Sequence, residues 1–423
     1  MTLASGLILV AFLVIVALMI FDKLNAVVAL PLMAIVMALV AGVSMNAVVN
    51  DIVGKGFGVL ASAIYSTLIA AILGELIKKT GIAEKMIRGA AELGGDNPYL
   101  VATLCFFAVG FSFIGLVGGG ARIMMGLIIF PIMLSVGVPK VVAGSVLLAS
   151  SFLGYFLNVA RWKFIQSLVA TDIELIKNVA IVLLIPGTII GLIAILIGIK
   201  VKGPIFSWAA EAETVKTEKF VPVYSMLTPL IPLILVLGLK WDVNAAFIAA
   251  IFYGIVTTQW KCKFNGTFDM LNKSIFDGFS NVAVTIVLMF GIGMVITAAK
   301  HELLIGPITA LIKNVIPTTP IAVIFIFGLL GPLLTLYRGP LNPWGLGAAL
   351  AGILATSNLP AGILVTMFWL YDYFVGVNDP TASQVVWTTG YLQTSTGKYT
   401  KGTIGFNLLF VLVGMIIAVI RFM

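Results

Sequence analysis

The chain has 423 residues, of which 61% are hydrophobic and 10% charged, with a formal net charge of +8. Soluble domains carry roughly 25% charged residues, so this composition excludes an ordinary soluble protein and predicts an all-α polytopic membrane protein. An excess of Lys and Arg in such a chain reflects loops on the cytoplasmic side rather than contact with nucleic acid.

In chain order, the first apolar run, LILVAFLVIVALMI, predicts a retained span over residues 3–21, because it lacks the basic start and small-residue cleavage site of a signal peptide. A second span is expected over 24–42, then an amphipathic segment, a third span over 59–78 and a second polar-faced segment. A long apolar pair begins at Pro98 and covers 98–138. The span over 140–160 frays into polar residues, and a final span covers 178–199.

From residue 223 the same order recurs, with spans over 223–240, 243–259 and 281–299, an apolar pair over 320–358, and spans over 360–378 and 403–421. Matching residues fall in sequence: Asn25 with Asn244, Gly56-Phe57 with Gly278-Phe279, Pro98 with Pro320, Pro139 with Pro360, and Tyr155-Phe156 with Tyr373-Phe374. Each half crosses an odd number of times whether or not its apolar pair spans fully, so the halves insert in opposite orientations. That is the inverted-repeat plan of secondary transporters. The expected division is residues 1–200, a cytoplasmic linker over 201–222, and residues 223–423. With the N-terminus outside, Lys78, Lys79, Lys85, Arg88, Lys200, Lys202, Lys261 and Lys263 all fall inside, the expected charge bias.

Two interruptions stand out in each half. The first is SFIGLVGGGARIMMG, Ser112 to Gly126, whose counterpart is GPLLTLYRGPLNPWG, Gly331 to Gly345, with Arg338 in the place of Arg122. Glycine triplets and prolines stop a helix, and an arginine at bilayer depth costs about 2.5–3.5 kcal/mol on the mildest scale. A re-entrant helical hairpin over 98–138 and another over 320–358 would bury such tips in protein, the setting in which irregular backbone is tolerated. An interfacial turn with Arg122 snorkelling to water is the alternative. Two guanidinium groups facing one cavity call for an anion, and their forks match carboxylates.

The second interruption breaks the following helix, in SFLGYFLNVARWK over the segment 140–163 and in WLYDYFVGVNDPTAS over 360–381. Pro380 restricts Asp379 and removes a donor, so the second helix is expected to be discontinuous. Asp372 lies within an apolar run, and two roles stand open for it: coupling-ion work, or a structural pair with an arginine such as Arg338.

Enzyme chemistry finds no support. STGKYT lacks the leading glycine of a P-loop, His301 is the only histidine, and no H-E-x-x-H or Cys/His cluster offers a metal site. No cofactor is expected.

Length, duplicated halves, and a hairpin plus broken helix in each half resemble the ion transporter superfamily, in particular its gluconate permease and citrate symporter type. That resemblance implies a small carboxylate or sugar acid held between two hairpin tips and two unwound helices, moved by H⁺ or Na⁺ through the cell inner membrane by a homodimer. Carried across, the substrate would meet Ser112, Gly118, Gly119, Gly120 and Arg122 at one tip and Thr335, Tyr337, Arg338 and Asn342 at the other. The unwound segments would contribute Asn158 and Asn378 to the substrate, and Asp372, Asp379 and Thr381 to the coupling ion. The Ser-Asn-Thr tips of sodium-coupled dicarboxylate relatives are absent here. A cation/proton antiporter of the same architecture is the runner-up expectation, with Asp372 and Asp379 exchanging ions.

Overall fold

The computed structural model describes residues 3–20, 23–202, 221–260, 264–312, 316–337, 339–344, 347, 350–351, 354–355, 357 and 359–423. Every regular element among them is helical. In the first half these are α1 (Leu3–Ile20), α2 (Ala26–Val40), α3 (Ala61–Thr80), α4 (Ile82–Gly94), α5 (Pro98–Ser112), α6 (Gly119–Ser135), α7 (Lys140–Tyr155), α8 (Val159–Val169) and α9 (Ile173–Lys202). A π-helical stretch, Val48–Lys55, precedes α3.

After residue 222 a 3₁₀ turn, Val223–Leu230, leads into α10 (Ile231–Gly238), followed by α11 (Val243–Gln259), α12 (Phe264–Ala299) and α13 (Glu302–Ile312). Next, α14 (Pro320–Val323) runs on through the π-helical Ile324–Leu330 to Gly331–Leu333. The chain closes with α15 (Ala361–Asn378), α16 (Ser383–Tyr391) and α17 (Thr396–Phe422). The amphipathic segment and third span expected as separate elements in the second half are one helix of 36 residues, α12.

Local chemistry sets these boundaries. Asn97 accepts from Tyr99 N at 2.9 Å and Pro98 takes the first helical position, so α5 starts where the sequence places it. Gly81, at φ 83°, ends α3 in the left-handed region that favours glycine. Among the described residues, five helical stretches are long and apolar enough to cross a bilayer, or six if the bent pair α7–α8 counts as one. That pair turns by 67° at its break. The chain is thus a multi-pass, all-helical membrane protein. Some expected spans are shorter: α2 has 15 residues, about 22 Å of helix against a hydrocarbon core of about 30 Å.

Packing places α3 against α2's neighbour α12, and α5 against α7. The α5–α7 contact is backbone to backbone, since a Cβ at Gly154 would fall 2.3 Å from the Gly110 carbonyl oxygen. Small residues permit that approach between helices in a membrane. At the centre sits α15, whose residues from Gly362 to Asn378 are all buried.

Candidate functional site

The segment 113–118 joins α5 to α6 and packs on the break between α7 and α8. Gly118 has φ 92°, a conformation that a Cβ would strain, and its N–H donates to the Tyr155 hydroxyl at 3.3 Å. Asn158, fully buried, accepts from Ala160 N at 3.1 Å and Arg161 N at 3.4 Å, which starts α8. Its amide donates to Phe113 O at 3.4 Å, tying the break to the tip.

In the second half, Asp379 makes a comparable contact with different groups. Asp379 Oδ1 accepts from Tyr337 N at 3.1 Å, and from Thr381 N and Oγ1 at 2.9 and 2.8 Å. A carboxylate here holds both the break and the neighbouring tip. Asn342 donates to Thr335 O at 3.2 Å and accepts from Trp344 N at 2.9 Å, while Thr335 Oγ1 donates to Pro332 O at 2.6 Å. Those two side chains are spent on the tip's own turn. Arg338 lies outside the described residues.

Two guanidinium groups converge on one tyrosine ring. Arg122, 6% exposed, has its guanidinium carbon 5.0 Å from the Tyr155 centroid, 4.3 Å from Phe152 and 5.4 Å from Phe113. Its Nε donates to Ser151 Oγ at 3.1 Å. Arg161 lies 4.7 Å from the same Tyr155 ring and 4.7 Å from Trp344. Arg161 pairs with Asp372 across the two halves of the chain, and Trp344 Nε1 donates to the other Asp372 oxygen at 2.7 Å. Trp344 stacks flat on Phe164, with centroids 4.6 Å apart. Asp372, expected either to serve a coupling ion or to pair with an arginine, is ion-paired with Arg161, which α8 presents in its first turn.

Charge does not balance in this cluster. Asp372 neutralises Arg161, whereas Arg122 forms no ion pair among the described residues. Aromatic faces and one hydroxyl offset part of the cost of a buried cation, but the cluster retains one net positive charge in apolar surroundings. An approaching anion would remove that imbalance.

The fold has a counterpart among known proteins. No family model matches the sequence, and no curated protein does either. Among solved structures, the fold is similar to that of the Alcanivorax borkumensis YdaH transporter, described as having an unusual topology. The TM-score is 0.59 at 15% identity, over 87% of this chain and 86% of that one. The chain shares its fold with a transporter.

Within that transporter fold, the remaining expected residues are placed as follows. Ser112 is buried and donates to Ala108 O on its own helix at 2.8 Å, away from the arginines. Gly119 has no neighbour in the way of a Cβ, whereas one at Gly120 would come within 2.8 Å of Asn281 Oδ1. Asn378 is saturated from α17: its Oδ1 accepts from Thr403 Oγ1 and Asn407 Nδ2 at 3.0 Å each, and its carbonyl from Thr400 Oγ1 at 3.0 Å. Tyr373 in turn donates to Asn407 Oδ1 at 2.9 Å. Asn378 anchors the broken helix to α17.

Sequence reasoning missed Tyr155, Trp344 and the pairing role of Arg161. The signal was available for one of them, since Arg161 follows Asn158 by one helical turn and must share its side of α8. Nothing local marks Tyr155, whose partners come from other helices of the first half, or Trp344, whose role arises from packing between halves. Among the described residues no group of three or more His, Cys, Asp or Glu is placed to hold a metal.

Proposed function

We propose that the chain is a secondary active transporter that moves a small organic anion, a di- or tricarboxylate or a sugar acid, by alternating access coupled to H⁺ or Na⁺. The observation that carries this reading is Arg122: a buried guanidinium without an ion pair among the described residues, beside a glycine-rich tip and a broken helix. A carboxylate meeting that fork gains charge-assisted hydrogen bonds in a low-dielectric setting. Gly119, with nothing within 4 Å of where a Cβ would lie, leaves room for its approach, and the N–H groups at the start of α6 favour negative charge.

The wider architecture in this proposal is two inverted repeats, each with a re-entrant hairpin and a discontinuous helix, in the cell inner membrane. The N-terminus lies outside and the working unit is a homodimer. Arg338 is the proposed counterpart of Arg122 on the second tip. Asp379 and Thr381, which already share a hydrogen bond at the second break, are the proposed neighbours of a coupling ion there.

Uptake of labelled citrate, succinate and gluconate into proteoliposomes holding the purified chain tests the proposal. Saturable uptake of one of them supports it. Clear Na⁺/H⁺ exchange without uptake of any organic anion assigns the chain to the antiporter class instead.

A further inference from the structure

Helix α3 carries one acid in an otherwise apolar stretch. Glu75 is 3% exposed, and its Oε1 accepts from Asn281 Nδ2 of α12 at 2.8 Å and from Lys78 Nζ at 3.2 Å. Asn281 is also the residue against which the first tip rests. A Cβ at Gly120 would lie 2.8 Å from its Oδ1, and one at Gly118 would lie 3.7 Å from its carbonyl oxygen. The preceding residue touches the tip as well, since a Cβ at Gly74 would sit 3.6 Å from Val117 N. The carboxylate is therefore one hydrogen bond from the segment that leads into Arg122.

The charged groups on the elements packed against α3 are engaged elsewhere or exposed. On α12, Asp277 pairs with Lys79, and Asp269 and Lys273 are exposed. Helix α11 carries no charge, and its Tyr253 donates to Tyr224 O. On α8, Arg161 is held by Asp372 and Lys163 bonds Gln166. On α4, Arg88 pairs with Glu84, Lys85 donates to Val221 O and Glu92 is exposed. On α6, Arg122 is stacked on its rings. Among the described residues, Lys78 is the charged group paired with Glu75.

We infer that Glu75 is a proton-binding site whose occupancy controls the hold of Asn281 on the glycine-rich tip. This inference rests on the transport reading and names H⁺ as a coupling ion. A proton from the aqueous phase adds to Oε1, the oxygen that accepts from Asn281. The ion pair with Lys78 is lost, and that oxygen no longer accepts from the Asn281 amide, so the tip is released. Return of the proton to water on the other side restores the carboxylate and the clasp. A sodium ion fits this place poorly, because the Lys78 ammonium already occupies the side of the carboxylate that a small cation would take.

The test uses the full chain in proteoliposomes with the citrate, succinate and gluconate panel, comparing wild type, Glu75→Gln and Glu75→Asp. Glu75→Gln is expected to retain anion exchange but lose accumulation driven by an acid-outside gradient, with Glu75→Asp retaining part of it. Accumulation by Glu75→Gln at the wild-type level overturns the inference. Should Glu75→Gln not fold, Lys78→Met carries the test. Removing the ammonium that pairs with the carboxylate should displace the pH profile of uptake; an unmoved profile overturns the inference. If wild type carries none of the three anions, the transport reading fails separately. Infrared titration then decides: a protonated-carboxylic-acid band present in wild type and absent from Glu75→Gln supports the site, and identical spectra overturn it.

Discussion

Arg161, in the first turn of α8, and Asp372, in the middle of α15, form a buried ion pair that joins the two halves of the chain. Their side chains are 12% and 8% exposed. Removing one member of such a pair leaves an uncompensated charge, at about 3–5 kcal/mol, while replacing both by apolar residues costs far less. Asp372→Asn is therefore expected to lower thermal stability in detergent more than the double change Arg161→Leu with Asp372→Leu. Thermal unfolding followed by size-exclusion fluorescence measures the order, and a less stable double variant would contradict the pairing role.

Arg122→Lys tests the fork. An ammonium retains the charge and its attraction to the Phe152 and Tyr155 faces but offers no bidentate geometry. Loss of one charge-assisted hydrogen bond, about 1.5–3 kcal/mol, predicts a rise in KM of about ten- to a hundred-fold, with protein stability close to wild type. Uptake kinetics read the first and thermal unfolding the second.

Tyr155 is the platform shared by both arginines, and its hydroxyl accepts from Gly118 N. Tyr155→Phe should keep the platform and loosen only the tip, with a modest fall in uptake rate. Tyr155→Ala removes the ring as well and should cost about 3–5 kcal/mol in stability, in the range of buried aromatic truncations. Equal effects of the two substitutions would place the role in the hydroxyl.

Gly118→Ala introduces a Cβ at φ 92° and ψ 166°, with an expected cost of about 1–3 kcal/mol borne by the tip. Uptake rate should fall while global unfolding moves little, because the strain sits in a connecting segment. Hydrogen exchange across 113–120 localises the change; unaltered protection there would contradict a strained tip.

The sequence made the membrane class legible because an apolar helix announces itself by length and lack of charge. It also exposed the breaks: Asn158 caps α8, and Asp379 holds Thr381 beside Pro380, both through local chemistry that depends on neighbours in the chain. The site was only partly legible. Asp372 stood out as an intramembrane acid, yet its partner Arg161 lies 211 positions away, and no local pattern specifies that distance. Ser112 and Thr335 show what sequence does not reveal, since their hydroxyls bond to carbonyls four and three residues back in the chain. The long helix α12 was read as two elements because polar residues in its first half mimic a loop.

A structure of the chain determined with whichever panel anion it takes up tests the central claim most directly. Carboxylate density is expected within about 4 Å of the Arg122 guanidinium, beside the start of α6 and the turn at Asn158. An anion bound elsewhere, with Arg122 still enclosed by Phe113, Phe152 and Tyr155 and untouched by it, would contradict the account.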